Sequence, residues 1–160
     1  MMTNTKKIIN REIGVGEAAI DGLLSGVLAG LTMAAYLLGY GWVSGIGPLR
    51  ILELFAPNVE NGALVGMLAH LAVSGIYGAL FGMGYAMLLR RRDFSPPTWV
   101  HALIGAGYGL LLFAAAGLVL LPATSSQMLE IPSLQLALGH LLYGAVLGLL
   151  VYRGVRHRIG

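Results

Sequence analysis

Apolar residues dominate four long stretches of the chain, and shorter polar segments separate them. The clearest stretch is Ala63 to Leu89, ALVGMLAHLAVSGIYGALFGMGYAMLL, which holds no charged residue. It is long enough to cross a hydrocarbon core of about 30 Å with some tilt. Three others, at about residues 17–40, 98–121 and 133–152, read the same way. A helix satisfies its backbone N–H and C=O groups internally, which is what a lipid environment demands of a spanning segment. The pattern predicts an all-α integral membrane four-helix bundle. Residues 1–16 form a polar N-terminal arm and residues 153–160 a basic tail. The first span is too long, and lacks the small-residue cleavage site, to be a removed signal peptide.

A second pattern lies inside the spans. His70 is followed by Ser74, Gly75, Tyr77 and Gly78, His101 by Gly105, Ala106, Tyr108 and Gly109, and His140 by Gly144, Ala145 and Gly148. In the first span Asp21 stands in the histidine's place, followed by Ser25, Gly26 and Ala29. At roughly 100° per residue, positions zero, four, seven and eight fall in one stripe. Each span thus carries an ionisable residue and small neighbours on one face. Small residues four apart let helix backbones approach closely in lipid, where packing rather than a hydrophobic driving force holds helices together. Ser74, Gly78, Gly105, Gly109, Gly144 and Gly148 are accordingly the expected helix-packing residues. The pattern also reads as an internal duplication, two related transmembrane hairpins sharing one orientation about an axis along the membrane normal.

The connections set the orientation. Between the first two spans, Pro48 and Pro57 bracket LRILELF, an amphipathic piece too short to span and expected on the membrane surface or the bundle mouth. Pro122 and Pro132 bracket the corresponding loop of the second half. Nine of the ten Lys and Arg residues lie on the arm, the Arg90–Arg92 loop and the tail, and only Arg50 lies on the other side. By the positive-inside rule both termini face the cytoplasm, in a multi-pass protein of the cytoplasmic (inner) membrane. Trp42, Trp99 and Tyr152 suit the interface, and Tyr77 and Tyr108 the bundle.

Composition narrows the chemistry. At 57% hydrophobic and 11% charged, with a mean hydropathy of +0.79, the chain lies far from soluble averages. Without cysteine it has no disulfide, thiolate zinc site, iron-sulfur cluster or thiol nucleophile of its own. The net charge of +3 comes from residues flanking apolar spans, so the expected partners are the lipid bilayer and other membrane subunits or a second copy, and not nucleic acid. The G-A-G-Y-G run at Gly105–Gly109 sits inside an apolar helix with no preceding strand, which rules out a phosphate loop. No G-x-S-x-G elbow occurs, and no catalytic residue is assigned.

The intramembrane polar residues are therefore the candidates: Asp21, His70, His101 and His140. His70 and His140 fall at matching depth, roughly 11 to 12 Å from the outer helix ends at 1.5 Å per residue. Asp21 and His101 match near the cytoplasmic ends. Ionisable residues inside spans are functional candidates by default. A neutral histidine also ties helices together, at well under about 2 kcal/mol per contact. Two sharper chemistries compete with that structural role. His70 and His140 could ligate one haem or chlorophyll-type pigment between their spans, with no other metal site implied. Alternatively, all four residues could line a proton or small-solute path, although mainly Gly, Ala, Ser and Tyr lie between the two levels.

The segments GHLLYGAVLGLLVY, HLAVSGIYGALFG and YGLLLFAAAGLVLLP together resemble small four-helix prokaryotic membrane proteins grouped as a domain of unknown function. That resemblance implies an architecture and no activity. The function expected is non-catalytic, a structural or accessory subunit of a larger bacterial membrane complex, respiratory or photosynthetic. The alternatives are a small homo-oligomeric transporter or channel, and a haem- or pigment-binding membrane subunit.

Overall fold

The computed structural model describes residues 14–56, 59–89, 96–120 and 130–159. Most of the N-terminal arm, the Arg90–Arg92 run and the middle of the second proline-bracketed loop lie outside the described residues. The elements are α1 (Val15–Ser44), α2 (Pro48–Glu53), α3 (Gly62–Leu89), α4 (Thr98–Ala115), a π-helical segment (Ala116–Leu120) and α5 (Ser133–Ile159). The chain is all-helical, with no strand among the described residues. Four helices are long and apolar enough to cross a membrane: α1, α3, α4 with its π-helical extension, and α5.

The helix ends follow local chemistry. α1 exceeds the expected 17–40 at both ends. At its start the Glu17 carboxylate accepts the Gly14 N–H at 3.2 Å, and an acid in the first turn complements the positive end of the helix. It stops at Gly45, whose φ of 78° is the left-handed conformation that glycine adopts without a Cβ penalty. α5 continues past the expected 152 and takes the start of the basic tail into the helix. The third span leaves the α form after Ala115. Ala114 to Gly117 are four small residues in a row, with little side-chain packing to hold a turn at four-residue spacing.

Backbone-to-backbone contact pairs the helices. α1 lies antiparallel to α3, with Gly22 against Gly78 and Gly82, and Gly26 against Ser74 and Gly78. A Cβ on Gly26 would stand 2.8 Å from Gly78 Cα, so only hydrogen fits there. α4 and α5 repeat this arrangement, with Gly105 against Gly144 and Gly148, and Gly109 against Gly144 and the His140 carbonyl. α1 and α5 then meet each other, so the order around the bundle is α3, α1, α5, α4.

α3 and α4 scarcely approach at the backbone, and aromatic side chains bridge the space. Phe81 and Tyr108 lie 5.0 Å apart between ring centroids, and the Tyr108 hydroxyl donates to the Tyr77 carbonyl at 2.9 Å. The Tyr143 hydroxyl donates to the Ser74 carbonyl at 2.7 Å, tying α5 to α3. Leu37, Leu147 and Val151 fill the centre and are fully buried. The Tyr36 hydroxyl donates to Gln135 and adds a polar tie between α1 and α5.

The amphipathic piece sits on the bundle mouth. Ile51 and Leu54 are buried there, Ile51 lies over Gly41, and the backbone at Leu52 presses on Gly66. On its exposed side Arg50 reaches Glu130 at 3.2 Å and Glu53 at 3.8 Å.

These contacts predict unequal costs for equal substitutions. A Cβ on Gly144 would stand 2.8 Å from the Gly105 carbonyl carbon and the Gly109 nitrogen, neither of which can rotate away. Gly144→Ala should lower stability by about 1–3 kcal/mol, the usual cost of overpacking. Gly107 meets nothing within 4 Å, and Gly107→Ala should stay within about 0.5 kcal/mol of the parent. Reversible unfolding in mixed micelles measures both, and equal stabilities would show that the glycine contact does not hold the helix pair.

Candidate functional site

The helix pairing leaves a cavity. Because glycines draw α3 onto α1 and α4 onto α5, the space between α3 and α4 near the α2 end closes only with side chains. There the wall residues are small: Ala69 on α3, then Ala115, Ala116 and Gly117 where α4 passes into the π-helical segment. A cavity of about 330 Å³ results. It opens sideways between α3 and α4, where Ala69, Val73 and Ala115 are exposed. Met33, Val73, Leu112, Phe113 and Leu136 line its apolar surface, and Phe55 closes it from the α2 side. Ser74, Tyr77, Tyr143, His70 and His140 supply its polar atoms, and no charged residue lines it. π-helical turns recur at functional sites, and this one forms part of the wall.

His70 and His140 line this one cavity from α3 and α5. His70 is held by Nε2, which donates to the Gly30 carbonyl at 3.0 Å, and its ring leans on Phe55 with centroids 4.7 Å apart. His140 is held by Nδ1, which donates to the Leu136 carbonyl one turn earlier at 2.8 Å, and its ring lies 5.8 Å from Phe113. A carbonyl oxygen only accepts, so each bond assigns the proton of a neutral imidazole to the bonded nitrogen. His140 therefore has the arrangement usual for a ligating histidine, with Nδ1–H on a carbonyl and Nε2 bare. His70 does not, because its Nε2 is committed to Gly30. A macrocycle clasped through both Nε2 atoms would require breaking that bond, whereas ligation through His70 Nδ1 would leave it intact.

Asp21 and His101 lie at the opposite end of the bundle, apart from the cavity. His101 is 1% exposed and its ring stacks on Tyr152 with centroids 3.9 Å apart and planes 13° from parallel. The Tyr85 hydroxyl lies 2.5 Å from its Nδ1, while Nε2 has no hydrogen-bond partner among the described residues. Tyr152, expected at the interface, is thus partly buried against His101. Asp21 faces the same last turns of α5, where a Cβ on Gly154 would stand 3.5 Å from Oδ2. Between the two levels, the hydroxyls of Tyr108 and Tyr143 are each committed to a backbone carbonyl.

Ser74, Gly78, Gly105, Gly109, Gly144 and Gly148 all lie at the two close helix contacts. Tyr143, Phe55, Phe113 and Gly117 line the cavity as well, beyond the residues expected from the sequence. Tyr143 is three residues after His140, outside the stripe used, and Phe55 reaches the cavity from another element. The signal for Gly117 was present in the Ala-Ala-Ala-Gly run. Among the described residues, no group of three or more His, Cys, Asp or Glu side chains could hold a metal ion. In comparisons with known proteins, the chain matches no family model, no curated protein and no solved structure.

The polar contacts differ in what their loss should cost. Tyr85→Phe leaves the buried His101 Nδ1 without its hydroxyl and should cost about 1–2 kcal/mol. Glu130→Gln weakens an ion pair whose side chains are 41% and 52% exposed, and should cost less than about 1 kcal/mol. Chemical denaturation of the two variants in one detergent orders them, and a larger loss for Glu130→Gln would contradict the assignment of the buried contact as the stronger.

Proposed function

We propose that the protein is a non-catalytic, multi-pass protein of the cytoplasmic membrane that holds a membrane-dissolved amphipathic molecule in its side-opening cavity. In this reading it serves as an accessory subunit of a larger membrane assembly. The observation that carries the reading is the cavity itself. It is apolar, it faces sideways between two helices able to span a membrane, and convergent polar atoms lie at its inner wall. Pockets of this kind, largely apolar with a few placed polar groups, are the usual form of a small-molecule site. The absence of charge from its lining favours an uncharged buried portion, since an unpaired charge there would be costly.

The accessory role rests on other surfaces than the glycine faces, which are used within the chain. Ile20, Leu24, Leu28 and Leu31 on α1 remain exposed and suit either lipid or neighbouring subunits. The orientation, with both termini cytoplasmic, draws on the distribution of Lys and Arg. The reading of two related hairpins draws on the parallel use of glycine in α1/α3 and α4/α5.

A fatty-acyl diazirine probe in nanodiscs should label α3 and α4 at the cavity wall, and excess unlabelled lipophile should suppress that labelling. Gly117→Trp, placed where a Cβ meets nothing within 4 Å, should abolish the suppressible labelling with the helical content unchanged. Labelling that is uniform over all exposed helix faces and not suppressible would refute the cavity reading. Because the chain lacks cysteine, single cysteines at Ser44 and Arg156 test the orientation. A membrane-impermeant thiol reagent added to intact cells should reach the first and not the second.

A further inference from the structure

The two imidazoles define what kind of head group the cavity takes, an inference that rests on the cavity being a ligand site. His70 Nε2 donates to the Gly30 carbonyl and His140 Nδ1 donates to the Leu136 carbonyl. Both partners are backbone oxygens, which have no proton to give, so in the neutral rings the other nitrogen of each is a bare lone pair. The site therefore presents His70 Nδ1 and His140 Nε2 as acceptors. The Tyr143 hydroxyl, which could have donated into the cavity, is already committed to the Ser74 carbonyl at 2.7 Å. Ser74 and Tyr77 are also lining residues, and a hydroxyl serves a donor or an acceptor alike. The imidazoles therefore decide the sign.

We propose that the cavity binds a lipophile whose head carries a hydroxyl donor, a long-chain phenol, alcohol or quinol, with the apolar body lying in the opening between α3 and α4. Such a head places its O–H on an imidazole lone pair. A head with two hydroxyls has a second acceptor available on the facing helix. An ether, ketone or quinone of the same size offers only acceptors and would leave both imidazole nitrogens unpaired in an apolar surround, where an unmade hydrogen bond costs more than a made one contributes. A site built around hydrogen bonding rejects analogues that lack the matching group more strongly than an apolar pocket does. Between the two oxidation states of one membrane quinone, the cavity selects the reduced form for its protons, and no electron transfer by this chain is involved.

The test uses the full chain in phosphatidylcholine nanodiscs, with 4-nonylphenol and its methyl ether, 4-nonylanisole, competing against the diazirine probe. The phenol should compete at least tenfold better than the ether. In the double variant His70→Ala/His140→Ala the phenol should lose that advantage and match the ether. Nitrogen-15 spectra of histidine-labelled wild-type protein provide a readout that does not depend on the variant folding. They should show one protonated and one bare nitrogen on His70 and on His140, with a bare-nitrogen resonance moving on addition of phenol and not of ether. Equal competition by phenol and ether would overturn the donor assignment while leaving the cavity a lipophile site. Failure of both to compete, with the probe labelling the cavity unsuppressed, would overturn the cavity reading and the proposal with it. Spectra placing the proton of His70 on Nδ1 and that of His140 on Nε2 would also overturn the proposal.

Discussion

Glycine-mediated contact between helix backbones is the constraint on which the rest of this structure depends. Where Gly22 and Gly26 meet Gly78 and Gly82, and where Gly105 and Gly109 meet Gly144 and Gly148, no side chain separates the two helices. In lipid there is no general hydrophobic force between apolar helices, so this close approach and the dispersion it permits must supply the specificity of pairing. It also sets the spacing elsewhere. A helix drawn tightly to one neighbour stands off from the next, and α3 and α4, each held to a different partner, are left apart. Large aromatic residues bridge part of that separation, and the remainder is the cavity.

A second constraint is that polar side chains inside the bundle must find partners, and here most find backbone carbonyls. A carbonyl already bonded within its helix retains a second lone pair, and the side chains of Tyr108, Tyr143, His70 and His140 use it. Three of these bonds cross between helices, so they fasten α3 to α4, α5 and α1 at points where the backbones do not touch or where the contact needs a register. The fourth, on His140, stays within its own helix and fixes the ring in the cavity wall. The same bonds assign the imidazole protons, which is why a helix-packing device also determines which hydrogen-bonding character the cavity presents.

Much of this was legible in the sequence because it is local. The apolar runs mark the four spans, since the ability of a segment to satisfy its backbone in lipid depends on that segment alone. The small residues at intervals of three and four mark a face for close packing, because the helical period is also local. Pro48 and Pro57 bracket the piece that holds the short helix α2, and the matching depth of His70 and His140 follows from their place along the spans. Helix ends were less legible. α1 and α5 extend beyond their apolar cores, because a helix can continue through polar residues once packing has nucleated it.

The tertiary structure alone decided which faces meet and what lies between them. The bond from His70 to Gly30 joins residues 40 apart and the bond from Tyr143 to Ser74 joins residues 69 apart, separations over which no periodicity carries information. Phe55 joins the site from the loop beyond α2, and Gly117 enters it through a π-helical segment that the apolar pattern reads as ordinary helix. The sequence by itself determined that this chain makes four apolar helices with small, polar-marked faces, because those properties belong to each segment separately. That two of its histidines share one side-opening cavity, each with one ring nitrogen on a backbone carbonyl, depended on the mutual placement of segments distant in the chain, which only their packing could settle.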